Sequence, residues 1–139
     1  MSSGDHSIYD LNSGRHFIEI ESIRLDDYFK DYDGKIDLIK MDIEGAELSA
    51  LQGMSALLNK NRNVKIITEF APSLLKKSGA KPEWYLKALT ERGFQLYDIN
   101  EAFKPTSIPE LLEKYTPESG KTTNLLCTRD GNWVKTILS

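Results

Sequence analysis

The feature that most constrains this chain is an apolar run that ends in acidic residues and a glycine, with a helical pattern directly after it. The apolar run covers residues 36–41, the acidic residues are Asp42 and Glu44, and the glycine is Gly45. This order predicts a buried strand that turns tightly into a helix, because glycine permits backbone angles that other residues avoid. Ligands of open α/β sheets bind just beyond the carboxyl ends of the strands. Asp42 and Glu44 therefore mark a candidate site if the sheet is parallel, with simple capping of the helix as the alternative.

The rest of the chain alternates strand and helix patterns, which predicts an α/β fold with a mainly parallel sheet and helices on both faces. Residues 1–15 are polar and are interpreted as a flexible arm, and residues 16–139 as a single α/β domain. The last two predicted strands are joined without a full crossover helix and could instead pair antiparallel. The predicted strands are 17–25, 36–41, 64–70, 94–99 and 124–128, and the predicted helices are 26–31, 46–58, 82–92 and 108–114, with a further short element at 133–138.

Composition narrows the class of partner and the compartment. The formal net charge of −3 argues against a nucleic acid or an anionic membrane surface, which would need a basic face on the protein. The lone cysteine, Cys127, sits in an apolar run and is interpreted as a buried, unreactive thiol. The sequence shows no signal peptide and no apolar stretch long enough to span a bilayer, so a cytoplasmic protein is expected.

Two carboxylates end consecutive predicted strands. Asp42 follows the strand 36–41 and Glu69 lies near the end of the strand 64–70, so the two side chains are expected to converge on one rim of the sheet. Such a pair could orient a substrate hydroxyl and take its proton. A divalent cation is the alternative, but two ligands define no cage and no metal site is predicted. Glu47 falls in the first turn of the next helix, on or near its outer side, and is interpreted as structural.

Two strings in the chain carry a resemblance to a known family. They are Leu25-Asp26-Asp27 and, further on, residues 37–47 with the sequence DLIKMDIEGAE, followed by Leu51 and Gly53. In this combination they are similar to the signature of FkbM-type methyltransferases, and the similarity extends over most of residues 22–100. The resemblance implies a Rossmann-like methyltransferase sheet whose final strand inserts antiparallel. It also implies S-adenosylmethionine as methyl donor and a small-molecule acceptor, a hydroxyl of a sugar or natural product.

The resemblance and the strand ends together assign roles to four residues. Asp42 and Glu69 are predicted to be catalytic, with Asp42 on the substrate side. Glu44, in the turn, and Asp26, upstream, are predicted to contact the cofactor. For Asp26 the alternative is a helix N-cap, which is the more common role of such a residue.

One part of the methyltransferase pattern is missing. Enzymes of this kind hold the cofactor against a glycine-rich turn after the first strand, and no Gly-x-Gly run follows an apolar strand in this sequence. The chain therefore resembles the back half of a catalytic domain, and binding of S-adenosylmethionine by this chain alone is expected to be weak or absent. The alternative is a non-catalytic α/β module, either a truncated relic or a piece that works beside a partner chain.

Because the cofactor-binding half is missing, one strand edge has no predicted neighbour. The predicted strand 36–41 has no neighbour on its outer side, contains no proline and carries Lys40 as its one basic residue. The segment 17–23 could fold back to cover that edge. Otherwise two copies of the chain could meet there as a homodimer.

Overall fold

The computed structural model describes residues 19–139, which form a five-stranded sheet with helices on both faces. The strands are β1 (Leu38–Met41), β2 (Lys65–Phe70), β3 (Gln95–Asp98), β4 (Lys104–Thr106) and β5 (Thr123–Thr128). The helices are α1 (Leu25–Tyr28), α2 (Glu47–Gln52), α3 (Ser55–Lys60), α4 (Pro72–Lys77), α5 (Pro82–Glu91), α6 (Ile108–Lys114) and α7 (Gly131–Leu138), with a 3₁₀ turn at Ile99–Glu101.

The sheet is mixed, in the order β1-β2-β5-β3-β4. The pair β1–β2 is parallel and has the predicted helical crossover between its strands, so this part of the prediction is confirmed. The other three pairs are antiparallel, and the prediction of a mainly parallel sheet is wrong. Two of these pairs arise because β5 enters between β2 and β3 against the direction of both, and the third joins the consecutive strands β3 and β4. The antiparallel pairing considered for the last two predicted strands is the one observed between β3 and β5.

The two faces of the sheet are covered unequally. Alternate residues of β2 point to opposite faces, and Ile66, Thr68 and Phe70 lie on the face that carries the main core. Side chains from α1 to α6 all contribute to that core. On the other face a smaller cluster joins Ile67 of β2 to Val134 of α7. Helices therefore cover both faces as predicted, but α7 alone packs on the second.

The crossover between β1 and β2 is two helices and not the single helix predicted over residues 46–58. The break falls at Gly53 and Met54, between α2 and α3. The carboxylate of Asp26 accepts hydrogen bonds from the backbone N–H groups of Ala56 and Leu57, at 3.0 and 2.9 Å. These are free N–H groups of the first turn of α3, so Asp26 acts as its N-cap from another part of the chain. Capping by a distant residue is not visible in a local sequence pattern.

The strand predicted over residues 17–25 is not observed where the structure describes it. Residues 19–24 form no strand, and Leu25 begins the helix α1, whose N-cap is Arg24. Alternating apolar residues are not enough to make a strand here, because Ile20 and Ile23 are exposed and pair with no neighbour in the described chain. Residues 17 and 18, and the arm predicted over 1–15, lie outside the described residues.

The second half of the chain follows its local signals more closely. The predicted helix over 82–92 begins at Pro82 and is followed by Gly93 with a φ of +86°, a conformation that glycine adopts easily. The helix predicted over 108–114 has the observed bounds of α6. The short strand β4 was missed, because it has three residues and one of them is Pro105.

Removal of the Asp26 carboxylate tests the distant cap. We expect Asp26→Ala to lower the free energy of unfolding by about 1–2 kcal/mol, because two N–H groups of α3 lose their acceptor. Urea denaturation followed by circular dichroism measures the change. Asp27→Ala is the matched control, since Asp27 is exposed and neighbours Asp26 in the same helix. Equal stability of the two variants would contradict the capping role.

Candidate active site: an acidic rim at the ends of two strands

Asp42 and Glu69 meet at the carboxyl end of the parallel pair β1–β2. Met41 is the register partner of Thr68, so the next residues along the two strands, Asp42 and Glu69, lie side by side. Across the next pair, Glu69 is the register partner of Asn124 on β5. Asp42, Glu69 and Asn124 therefore form one row across three neighbouring strands, on the face that carries α7. We call this row the acidic rim.

The electrostatics of the rim confirm that the two carboxylates are close. The pKa of Glu69 is raised, first by its partial burial, then by the negative charges of Asp42 and Glu47, and by a hydrogen bond shared with Asp42. A hydrogen bond from Thr122 opposes the increase. Asp42 is exposed and Glu69 is half-buried, so Asp42 is the member that an incoming molecule meets first.

The turn after β1 is held by hydrogen bonds from its own backbone. Glu47 is 1% exposed, and its carboxylate accepts the N–H groups of Ile43 and Gly45 at 3.3 and 2.9 Å. The prediction that Glu47 lies on the outer side of its helix is therefore wrong. The turn folds back over the first turn of α2, and its N–H groups need a buried acceptor there. The structural role proposed for Glu47 agrees with these contacts.

Gly45 fits this turn for two separate reasons. Its φ is +103°, and a Cβ at this position would lie 2.5 Å from the backbone oxygen of Leu74. Its own carbonyl oxygen accepts a hydrogen bond of 2.7 Å from the hydroxyl of Ser78. The turn is thus fixed from both sides, which sets the direction in which Asp42 leaves the strand.

The two residues assigned to the cofactor occupy different surroundings. Glu44 is exposed in the turn, with a φ of 53°, a conformation uncommon for a residue with a side chain. Its place beside Asp42 is compatible with contact to a ligand, and the assignment stays a prediction. The carboxylate of Asp26 is engaged by α3, which agrees with the capping alternative. Its cofactor role also stays a prediction.

Sequence analysis missed a third carboxylate that ends a strand. Asp98, the last residue of β3, is 4% exposed and accepts hydrogen bonds from the hydroxyls of Tyr115 and Thr123 and from the backbone N–H of Asn100. Because Thr123 begins β5 directly before Asn124, Asp98 fixes the strand that completes the acidic rim. The signal in the sequence was an acidic residue at the end of the strand pattern 94–99, of the same kind as Asp42.

The turn after β1 leaves no space for a ligand beside its glycine. Gly45 is the glycine of the turn after β1, and the backbone that approaches it closely is that of Leu74, which leaves no space for a ligand there. Two surface cavities, of about 110 and 280 Å³, lie at the amino ends of the strands, next to Ile36 and Phe94 respectively, and not at the rim. Within residues 19–139, no group of three or more His, Cys, Asp or Glu side chains could hold a metal ion.

Two further observations concern the thiol of Cys127 and the length of the helices. Cys127 is buried in β5, and burial raises the pKa of its thiol, in agreement with an unreactive side chain. In the part of the chain that the structure describes, none of the helices has the length and apolar character needed to cross a membrane.

Neutralising Glu69 should make the protein more stable at neutral pH. Because its pKa is raised, Glu69 binds a proton more tightly in the folded state than in the unfolded state. Glu69 therefore stabilises the fold at pH values below the pKa of the unfolded state, and this stabilisation is lost as the pH rises through the raised pKa. We expect Glu69→Gln to raise the melting temperature at pH 7 by about 1–4 °C. Below about pH 4, where glutamate is protonated in both states, the difference should vanish.

Calorimetry or circular dichroism melting from pH 3 to 8 measures this effect. Glu113→Gln is the control, since Glu113 is an exposed residue of α6. A variant of Glu69 whose melting temperature follows that of the wild type at every pH would show that the rim carries no charge repulsion.

Comparison with known proteins identifies the family. No curated protein and no solved structure matches the chain. The family model of the methyltransferase FkbM domain matches residues 2–96, which are most of the 139 residues and include β1, β2 and the turn between β1 and α2. The match contains both carboxylates of the acidic rim, while Asn124 lies beyond it. The chain therefore belongs to the methyltransferase FkbM domain family.

Proposed function

We propose that this chain is the substrate-side part of an S-adenosylmethionine-dependent methyltransferase that methylates a hydroxyl oxygen of a sugar or natural product. In this proposal the sheet is the back half of a Rossmann-like methyltransferase sheet. Family membership supports methyl transfer in general. The strand order, with an antiparallel strand inserted between β2 and β3, supports the Rossmann-like assignment.

The observation that carries the proposal is the carboxylate pair of the acidic rim. A hydroxyl oxygen that accepts a methyl group must lose its proton, and a positioned carboxylate is a suitable acceptor. Asp42 is exposed at the rim and would take the proton from the substrate. Glu69 lies beside Asp42 across the β1–β2 pair and would help to orient the hydroxyl.

The methyl donor does not fit the described residues as a whole. S-adenosylmethionine supplies an electrophilic methyl group, but residues 19–139 contain no open glycine-rich turn to hold it. We therefore derive no step through the cofactor, and propose a contact with it for Glu44 and Asp26 alone. For the same reason, a non-catalytic module that acts beside a partner chain remains the second candidate function.

The composition supports a proposal for the compartment and the kind of partner. We propose a cytoplasmic protein that acts on a small molecule and binds neither nucleic acid nor a membrane. The net charge of −3 supports the absence of an anionic partner. The buried lone thiol of Cys127 is compatible with a reducing compartment.

Titration with S-adenosylhomocysteine tests whether the isolated chain binds the cofactor. We expect no binding tighter than a dissociation constant of about 1 mM, because no Gly-x-Gly run follows an apolar strand pattern in the sequence. Isothermal titration calorimetry measures this directly. Binding in the micromolar range would contradict the proposal of a substrate-side part, and Glu44→Gln would then show whether the turn contributes to it.

Substitution of Asp42 tests the proton acceptor. In an active enzyme that contains these residues, alone or complemented by a cofactor-binding polypeptide, Asp42→Asn should lower kcat by about a hundredfold or more. Asp37→Asn is the control, since Asp37 is exposed and lies just before the other end of β1. An unchanged turnover in Asp42→Asn would show that Asp42 is not the proton acceptor.

A further inference from the structure

Asn124 is an unusual residue for its position in the sheet. It belongs to β5, which runs between β2 and β3, and it is exposed whereas the other residues of β5 are buried. Asparagine is depleted in β-strands, because its short side-chain amide competes for backbone hydrogen bonds and packs poorly on a pleated surface. Residues that oppose the local structural preference are expected at functional positions.

The side chain of Asn124 lies next to the proposed proton acceptor and its neighbour. Asn124 is the register partner of Glu69, and residues directly opposite in an antiparallel pair have Cβ atoms about 5 Å apart on one face of the sheet. Asp42 lies one strand further on, so Asp42 and Asn124 are the two ends of the acidic rim. Among residues 19–139, no group forms a hydrogen bond with the side-chain amide of Asn124.

The backbone of Asn124 is held from both sides. β5 pairs with β2 through Asn124 itself and with β3 through Leu125, the register partner of Asp98. The hydroxyl of Thr123, directly before Asn124, donates a hydrogen bond to the buried carboxylate of Asp98. A side chain on a paired, central strand is positioned more precisely than one on a loop. The amide of Asn124 is therefore presented at a fixed place beside the carboxylates.

An apolar residue follows Asn124 across the sheet. Asp98 is the register partner of Leu125, so the next residue along β3, Ile99, lies beside Asn124. Ile99 is half-buried and packs with Phe103 against the cluster under α7. From β1 to β3, the row therefore presents two carboxylates, then one amide, then apolar surface. Asn124 is the last polar group of this row.

The length of the acidic rim decides what can bind to both of its ends. Ionised carboxylates accept hydrogen bonds only, whereas the amide of Asn124 both donates and accepts. Asp42 and Asn124 are two strand spacings apart, which is about 10 Å. Two hydrogen bonds of about 2.8 Å each take up more than half of this distance, so the two bonded oxygen atoms are about 4–5 Å apart. A single hydroxyl cannot reach both ends, while two hydroxyls of one six-membered ring can.

We propose that Asn124 is a specificity-determining residue, which binds a second hydroxyl of the methyl acceptor while Asp42 takes the proton from the first. This inference rests on the proposed function and narrows its substrate class to a ring that carries at least two hydroxyl groups. The N–H groups of Asn124 donate to the oxygen of the second hydroxyl, and Glu69 accepts a hydrogen bond between the two ends. A molecule with one isolated hydroxyl leaves Asn124 without a partner and is a poor substrate.

Two ring compounds that differ in their number of hydroxyl groups test this inference on the full chain, without cofactor. The probes are myo-inositol, a six-membered carbon ring with a hydroxyl on every carbon, and cyclohexanol, the same ring with a single hydroxyl. We expect myo-inositol to shift the NMR signals of the Asn124 side-chain amide, with a dissociation constant of about 10–50 mM for so small a ligand. Cyclohexanol at the same concentration should leave these signals unchanged.

Substitutions at position 124 show whether the amide itself binds the ring. Asn124→Leu removes both the donor and the acceptor, and Asn124→Asp keeps the shape but removes the donor. Each should weaken binding of myo-inositol about tenfold, as followed by the backbone amides of Asp42 and Glu69. Asn132→Leu is the matched control and should bind as the wild type does, because Asn132 is an exposed asparagine of α7, beyond the opposite end of β5.

Each of three results would overturn the role of Asn124. They are equal shifts with both compounds, unchanged binding of myo-inositol in Asn124→Asp, and no shift at about 200 mM myo-inositol. The same spectra show whether each variant is folded, and the comparison of the two compounds uses the wild-type chain alone. None of these results depends on methyl transfer, so they leave the proposed function in place. Failure of the proposed function is measured separately, by the turnover of Asp42→Asn.

Discussion

The site depends first on the buried carboxylate of Glu47, which holds the turn after β1. Glu47 accepts two backbone N–H groups from the turn that leads out of β1. Without this acceptor the turn would bury unpaired donors, and the direction of Asp42 would no longer be set. The hydroxyl of Ser78 and the backbone of Leu74 hold the same turn from the other side. These contacts hold the turn from two sides and so set the direction of Asp42, the proposed proton acceptor.

The negative charge of the acidic rim is unfavourable for the folded protein. Glu69 is half-buried, and its burial together with the charges of Asp42 and Glu47 raises its pKa, so the folded protein disfavours its charge. No arginine or lysine forms an ion pair with Asp42 or Glu69 among the described residues. Groups that titrate away from their ordinary range concentrate at functional sites. This pattern agrees with the family assignment, which was made independently from the sequence match.

Prediction from the sequence succeeded where signals are local. The strand ends that bring Asp42 and Glu69 together follow from two apolar runs and one crossover, and the helix α5 from a proline and a glycine. It failed where distant residues decide. The break between α2 and α3 depends on Asp26, the burial of Glu47 depends on how the turn folds back, and the antiparallel sheet depends on where β5 inserts. None of these is encoded within a short window of sequence.

The link between Asp26 and α3 has a consequence for the order of folding. The two hydrogen bonds span 30 and 31 residues, and β1 lies between their partners along the chain. The first turn of α3 therefore cannot gain its cap until α1 has docked beside it, so α3 receives this stabilisation only after a long-range contact has formed. Contacts of this separation slow the search for the native state. During synthesis, α1 and β1 would leave the ribosome well before α3, the helix that Asp26 caps.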